Sequence, residues 1–327
     1  MVMRVIITGG LGFIGINLAK YLLAKKTIKQ IVIIDKMTES TTNNLSSFCK
    51  FRYFSSSKQY RKTKDKVVVI KANVMNKKFS ENIVIKDDII VHLAAESGVD
   101  ISISHPEKSF NVNVVGAFNY LNAARIKKVK RFIFASSGAV FGKAKPPLTE
   151  KTIKGAISPY GSSKLTIESF CETFSGMFKL KTTVLRFSNC YGIYSDNKSS
   201  VISKFIKNIN KGYVNYVNGN GMQTRDFIYV DDLVDAIYKS FSDKSDFSDY
   251  NVSTGKETSI KNLLKMLKDI YKNYDKKVYI KYQKERLGDM KKNYAKPNKI
   301  IKRLNWNPRI SLSDGLKTTV DWYSQRK

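Results

Sequence analysis

Cysteine, histidine and acidic residues are all scarce in this chain of 327 residues. Its three cysteines, Cys49, Cys171 and Cys190, stand far apart, and the only two histidines, His92 and His105, add no ligand cluster. That pattern excludes a disulfide framework and a zinc site, which need thiols or imidazoles at close, regular spacing. No apolar run approaches the ~20 residues that a membrane-spanning helix requires. The N-terminus, Met1-Val-Met-Arg4, runs straight into Val5-Ile-Ile-Thr8 without the charged lead or cleavage site of a secretory signal. A soluble, cytoplasmic protein is expected. With six prolines and no proline-rich linker or internal repeat, the chain is long enough for one large domain or one and a half domains with a sizeable core, and leaves room for a cleft between two lobes.

Acidic residues number 27 against 58 lysines and arginines, a formal charge of +31. Such a balance invites a nucleic-acid reading, because phosphate neutralisation dominates that kind of binding. The cations, however, are scattered: Lys25-Lys26, residues 61–66, residues 127–131, Lys276-Lys277 and Lys291-Lys292. Tyr53, Tyr60, Tyr279 and Tyr282 lie among them and could stack on bases, but they read as packing residues at lobe edges. The expectation is a lysine-rich solvated surface with no specific nucleic-acid partner. Its field would still draw in an anionic substrate.

What is present is alternation. Residues 4–8, 31–35, 67–70, 89–93, 131–135 and 182–187 are short β-branched runs separated by stretches of helical length. Strands alternating with helices imply an α/β fold, a Rossmann-type doubly wound parallel sheet covered on both faces, with a smaller C-terminal α/β substrate lobe. Phe110, Val114, Ala117 and Leu121 recur at helical spacing, and residues 163–174 read as another long helix. Residues 36–66 look like an exposed insertion. The expected division places residues 1–187 and 222–253 in a dinucleotide domain, and residues 188–221 and 254–327 in the substrate lobe.

Gly9-Gly10-Leu11-Gly12-Phe13-Ile14-Gly15 follows the first strand and opens the first helix. A tight turn, close backbone approach to a pyrophosphate, and helix-to-sheet packing each call for a missing side chain, and the helix N-terminus favours the anion. Asp35 ends the second strand about 20 residues later, where a carboxylate holds a ribose diol and repels a 2'-phosphate. NAD is therefore the expected cofactor, although Lys36 stands beside Asp35. Further along, Ser136-Ser137-Gly138 stands just past the strand 131–135, and Tyr160-Gly-Ser-Ser-Lys164 begins a helix. Tyrosine and lysine one turn apart share a helix face, so the ammonium could lower the phenol pKa and let Tyr160 act as a base. Ser137 would donate a hydrogen bond to the same substrate oxygen.

At these residues the chain resembles the extended short-chain dehydrogenases that modify nucleotide sugars. The likeness runs through the Gly9 to Gly15 loop, His92-Leu-Ala-Ala95, Asn113-Val-Val-Gly116, Ser136 to Gly142, Ser158-Pro-Tyr160 to Lys164, Leu185-Arg-Phe-Ser-Asn189, Gln223-Thr-Arg225-Asp226-Phe227-Ile-Tyr-Val-Asp231 and Arg286-Leu-Gly-Asp289. The resemblance implies that Ser137, Tyr160 and Lys164 are catalytic. It implies a cofactor set of Gly9, Gly12, Phe13, Ile14, Gly15, Asp35, Asn73, Val74, Ala94, Ala95, Asn113, Tyr160, Lys164 and Phe187. On the substrate side it implies Glu96, Ser137, Asn189, Tyr216, Arg225, Arg286, Asp289 and Asn293, with Asn189, Arg225 and Arg286 on the nucleotide diphosphate. Asn73 departs from the aspartate common at its position, but its side-chain carbonyl can still accept from an adenine amino group. A homodimer through the two long helices is implied as well.

The reaction is read from missing acids. In the family's 4,6-dehydratases, which Ala94-Ala-Glu96-Ser-Gly-Val-Asp100 resembles, an Asp-Glu pair follows the serine or threonine. Here Gly138-Ala139 stands there, and neither side chain can transfer a proton. The stretch Ser136-Ser-Gly-Ala-Val-Phe-Gly142 is instead similar to the 4-epimerases, so the expected activity is NAD-dependent epimerisation of a UDP-hexose or UDP-N-acetylhexosamine. A 4-dehydrogenase releasing a keto sugar and a dehydratase using Glu96 remain as alternatives. A silent NAD-binding module is another, although it would normally lose the serine, tyrosine or lysine. Glu96 itself has two readings, a catalytic group or a loop carboxylate paired with a lysine. Counted from Arg286-Leu-Gly-Asp289, the resemblance to the 4-epimerases implies that Asn293 stands at a gate beside the sugar C2 substituent, where tyrosine goes with plain hexoses and a smaller residue with N-acetylated ones; the alternative is a surface asparagine in a polar loop.

Overall fold

A computed structural model describes residues 2–38, 40–285 and 291–326. Seven strands succeed one another in the first part of the chain: β1 (Met3–Thr8), β2 (Ile28–Asp35), β3 (Arg52–Phe54), β4 (Val67–Lys71), β5 (Ile89–His92), β6 (Arg131–Ser137) and β7 (Thr182–Phe187). With Phe247–Val252 they form one eight-stranded sheet, ordered Phe247–Val252, β7, β6, β5, β1, β2, β4, β3, and every pairing within it is parallel. This is the expected doubly wound α/β architecture.

The β-branched runs build both faces of the sheet because side chains alternate along a strand. Val5, Ile7, Ile31, Ile33, Val67, Val69, Ile89 and Val91 enter one core, while Ile6, Val32, Ile34, Val68, Ile70 and Ile90 enter the other. The first core also takes helices from the C-terminal half. Residues 201–210 bury Ile202, Phe205, Ile206 and Ile209, and residues 260–271 bury Leu263, Leu264, Leu267 and Tyr271. Trp306 is fully buried and donates to the Asp232 carbonyl, pinning the C-terminal segment to the helix Val230–Lys239.

Sheet order reverses direction at β1. The chain winds one way through β2 and β4, then returns to place β5 on the other side of β1. Helix-connected strands of this kind leave a crevice at their carboxyl ends, and ligands bind there. The ends of β1, β2, β5 and β6 carry Gly9, Asp35, Ala94 and Ser137 to that crevice.

Two sequence expectations require correction. Residues 36–66 are not merely an exposed insertion, because they contain the helix Asn43–Ser46 and the edge strand β3, which extends the sheet beyond β4. Helical spacing puts Phe110 on the buried stripe with Val114, Ala117 and Leu121, yet it is 55% exposed while the other three are buried. The cause is a π-helical turn, Asn111–Gly116, between the helices Pro106–Phe110 and Ala117–Lys127. An added residue in the turn rotates the residues before it out of phase with those after it.

Candidate active site

Gly9 has φ +65°, and a Cβ there would stand 2.8 Å from the Ala94 backbone. A Cβ on Gly15 would fall 2.5 Å from Gly10 Cα. Both positions therefore require glycine, one to bring the loop against the end of β5 and one to seat the first helix on the loop. Gly12 precedes the helix Phe13–Leu23 and, lacking a side chain, leaves its first amide groups uncapped. Phe13 and Ile14 open that helix, partly buried, with the Lys198 ammonium 4.7 Å above the Phe13 ring.

Asp35 is buried at the end of β2. Its Oδ2 accepts from Leu11 N at 3.1 Å, and its Oδ1 accepts from Met37 N at 2.9 Å and Ser40 Oγ at 2.8 Å. The carboxylate thus fastens the glycine loop to the strand end and keeps a second lone pair on Oδ2. Neither Leu11 N nor Ser40 is a partner that the sequence pattern signals. Asn73 is exposed past β4, where its Oδ1 accepts from Met75 N at 3.0 Å. Val74 is buried, and a Cβ on Gly116 would lie 2.6 Å from its Cγ2, so the π-helical turn packs tightly on it.

Ala94, Ala95 and Glu96 follow β5, and Asn113 from the π-helical turn holds Glu96. Asn113 Oδ1 accepts from Glu96 N at 2.7 Å, while its Nδ2 donates to Glu96 O at 3.2 Å and to Ser163 Oγ at 3.1 Å. One buried amide therefore ties the loop to the helix that carries Tyr160 and Lys164. The Glu96 carboxylate is 2.5 Å from Lys36 Nζ and 3.3 Å from Lys108 Nζ. Burial raises its pKa, but the two ammonium groups outweigh that and hold it below the usual carboxylate range. Of the two readings of Glu96, this geometry matches the lysine-paired loop carboxylate.

Ser137 is the last residue of β6 rather than a residue beyond it, and its Oγ accepts from Ala139 N at 3.2 Å. The helix Pro159–Phe178 starts earlier than residue 163 because Ser158 caps it, accepting from Gly161 N, and Pro159 occupies the first turn. Tyr160 lies in that first turn, with its phenol near enough to the Ser137 hydroxyl to feel it. Lys164 is buried, with Nζ 2.8 Å from the Ala135 carbonyl and 5.8 Å from the Tyr160 ring centroid. Burial pushes Lys164 down to about 8 against the pull of Glu168. It also pushes the Tyr160 phenol above its ordinary value, with the nearby Ser137 hydroxyl opposing. Burial is thus the larger effect on the Tyr160 phenol. His92 Nδ1 is 3.0 Å from Thr8 Oγ1, and burial followed by the Lys164 charge pushes this imidazole down to about 3.

Below this group lies an ion network that sequence reading missed. Glu168, one turn past Lys164, accepts from Ser136 Oγ at 2.5 Å and from Arg186 Nε and Nη2 at 2.9 and 2.8 Å. Arg186 Nη2 also donates to Asp249 Oδ2 at 2.7 Å, and Asp249 pairs with Lys299. Burial lowers the Arg186 pKa, but Glu168 and Asp249 outweigh it and hold the guanidinium above its ordinary range. The available signal is the i,i+4 step from Lys164 to Glu168 on one helix face.

On the far side, Phe187 is partly buried beside Ser137 in the β6–β7 pairing. Asn189 Nδ2 donates to the Asp226 carbonyl at 3.2 Å, and the Asp226 carboxylate accepts from Thr254 and Gly255. Thr224–Arg225 pairs in parallel with Lys292–Asn293, which sets Arg225 beside Asn293. Asn293 Oδ1 approaches Gly138. Tyr216 stands apart from these residues in the secondary-structure layout, on the small sheet Asn215–Asn218 with Ile280–Gln283, and is exposed. Arg286 and Asp289 lie outside the described residues.

Residues 6–319 match the family model described as GDP-mannose 4,6 dehydratase. The chain belongs to this family. Among its relatives, a protein of Methanocaldococcus jannaschii named putative UDP-glucose 4-epimerase is 31% identical, the match covering 97% of each chain. The UDP-N-acetylglucosamine 4-epimerase of Methanobrevibacter ruminantium, solved in complex with UDP-N-acetylmuramic acid, superposes with a TM-score of 0.88 at 28% identity, over 100% of this chain and 99% of that one. The UDP-glucose 4-epimerase of Thermus thermophilus, solved with NAD, gives a TM-score of 0.85 at 25% identity, over 99% and 100%. Family membership and fold agree with the resemblance read from the sequence. Among the described residues no helix is long and apolar enough to cross a membrane.

Proposed function

We propose that this protein is an NAD-dependent nucleotide-sugar 4-epimerase acting on a UDP-hexose or UDP-N-acetylhexosamine. The observation that carries this reading is the setting of Ser137 and Tyr160: the two side chains stand together, Lys164 lies 5.8 Å from the Tyr160 ring centroid, and the residues after Ser137 are Gly138 and Ala139. Elimination would need a proton donor where those two stand, and Glu96, the acid that kept that alternative open, is committed to Lys36 and Lys108.

The glycine cradle and Asp35 suit NAD. Gly9, Gly12, Phe13, Ile14 and Gly15 would hold the pyrophosphate, Asp35 the adenosine ribose diol, Asn73 and Val74 the adenine, and Ala94, Ala95, Asn113, Tyr160, Lys164 and Phe187 the nicotinamide half. Bound NAD supplies the site that accepts and returns the C4 hydride. Tyr160 would take the C4 hydroxyl proton, the Lys164 ammonium and the positive charge of a bound nicotinamide together offsetting the burial that raises its pKa, and Ser137 would donate to the same oxygen as it becomes a carbonyl. Lys164 contributes positive charge beneath the phenolate. Asn189, Arg225 and Arg286 would hold the diphosphate, with Tyr216 and Asp289 as further substrate contacts, so that the sugar alone turns over between the two hydride transfers. The division into residues 1–187 with 222–253 and 188–221 with 254–327 is supported by Phe247–Val252 adding to the main sheet.

Phe110, Phe170 and Phe178 are exposed on the helical segment that begins at Pro106 and on the helix Pro159–Phe178. An apolar surface on two helices supports a homodimer, and a cytoplasmic location is the reading that accompanies this enzyme class. The test of function is incubation with a panel of UDP-sugars, following sugar products by NMR and NADH by absorbance. Interconverted C4 epimers without NADH accumulation are expected. Accumulating NADH with a 4-keto sugar would assign a dehydrogenase, and a 4-keto-6-deoxy sugar a dehydratase.

A further inference from the structure

Coenzyme choice is contradictory at the end of β2. Asp35 would repel the 2'-phosphate of NADP, yet the next residue is Lys36, a cation able to attract it. Lys36 is not directed by its own strand alone. Its ammonium reaches Glu96 Oε1 at 2.5 Å, on the loop after β5, where Lys108 also meets Glu96 Oε2 at 3.3 Å. The Glu96 side chain is 7% exposed, against 35% for Lys36, so the carboxylate is the fixed member and the lysine is drawn to it. The Glu96 backbone is clamped through both its N–H and its carbonyl by Asn113. The anchor therefore does not depend on the ion pair it makes.

We propose that Glu96 is a specificity-determining residue for the coenzyme: by binding Lys36 across the cleft, it keeps that ammonium away from the 2'-position of the adenosine ribose. This rests on the NAD reading given above. Asp35 supplies the repulsion, and Glu96 withholds the attraction that would offset it. The carboxylate is ionised throughout the neutral range, since the two lysines hold its pKa down. Lys108 is more exposed and has solvent as an alternative, whereas Lys36 released from Glu96 would have a 2'-phosphate as a new partner when NADP is bound.

The test is fluorescence titration of purified protein with NADH and with NADPH, giving two dissociation constants for each variant. Glu96→Gln removes the charge and Glu96→Ala removes the acceptor; circular dichroism checks the fold of both. Freed Lys36 should tighten NADPH by about ten-fold, the size of one charge-assisted hydrogen bond, while NADH stays within about two-fold of wild type. In the double variant Glu96→Ala with Lys36→Ala, the NADPH gain should vanish. NADPH affinity unchanged in Glu96→Ala, or a gain that survives loss of Lys36, overturns the inference. Wild-type protein that binds neither coenzyme would instead overturn the functional reading beneath it.

Discussion

Asn293 Oδ1 lies 3.9 Å from the point where a Cβ on Gly138 would stand. The contact brings a residue from the end of the chain against the turn after Ser137, and the pairing of Arg225 with Asn293 fixes its approach. A phenol ring on residue 293 would occupy the space left by the missing Gly138 side chain. Asn293→Tyr should therefore reduce turnover of a UDP-2-acetamido sugar by about ten-fold or more while sparing the plain hexose, as pocket fills of this size do. Parallel kinetics on the two substrates check it. An equal effect on both, or none, removes Asn293 from the sugar pocket.

Tyr160→Phe deletes one hydroxyl and leaves the ring in the first turn of its helix. If Tyr160 is the base, kcat should fall by about 10²–10⁴-fold with NADH affinity nearly unchanged. Normal turnover by the variant would assign the proton transfer elsewhere.

Lys164 offers a test in which stability and activity move in opposite directions. Burial lowers its pKa from 10.5 to about 8, so the folded state holds its proton less tightly than the unfolded chain does. Wild-type stability consequently rises as pH increases from about 8 to 10.5, and the full penalty for a buried ammonium is present below about 8. Lys164→Met removes that penalty. Allowing for the lost bond to Ala135, the variant should be more stable at pH 7 by roughly 2 kcal/mol, with an advantage that shrinks above pH 8. Urea unfolding at several pH values measures it, and turnover should be nearly abolished. A variant that is less stable at pH 7 would contradict the assigned burial cost.

Glu168→Gln leaves Arg186 buried with one carboxylate partner instead of two. Removing one member of a buried ionic group costs about 3 kcal/mol, which should appear as a lower urea midpoint. Because Glu168 opposes the burial effect on Lys164, its loss should also shift the alkaline limb of kcat to lower pH. A midpoint and a pH profile both equal to wild type would show that the network neither supports the fold nor tunes Lys164.

Much of this molecule is legible in its sequence because its signals are local. The strand runs need only β-branched residues in a row, and Gly9 to Gly15 with Asp35 need only spacing. The hidden features are set by contacts between distant segments. Glu168 and Arg186 are 18 positions apart and Arg186 and Asp249 are 63 apart, so no window along the chain contains the network. Likewise, Lys36 beside Asp35 is ambiguous until Glu96, 60 positions away, is seen holding it. The failure at Phe110 has a different origin: a constant helical period does not apply across a segment that changes its period at Asn111–Gly116.

That change of period bears on how the site could be rebuilt. A designer transplanting these residues onto a regular helix would find that ideal geometry and a working site are incompatible. Deleting one residue from Asn111–Gly116 to restore uniform winding would turn the preceding residues by about 100° relative to Ala117–Lys127. Either Asn113 would leave Glu96 and Ser163, or Phe110 would swing from the outer surface toward the core. The irregular turn is the element that lets one continuous helical segment serve two directions, an outward apolar surface at its start and an inward amide at its middle.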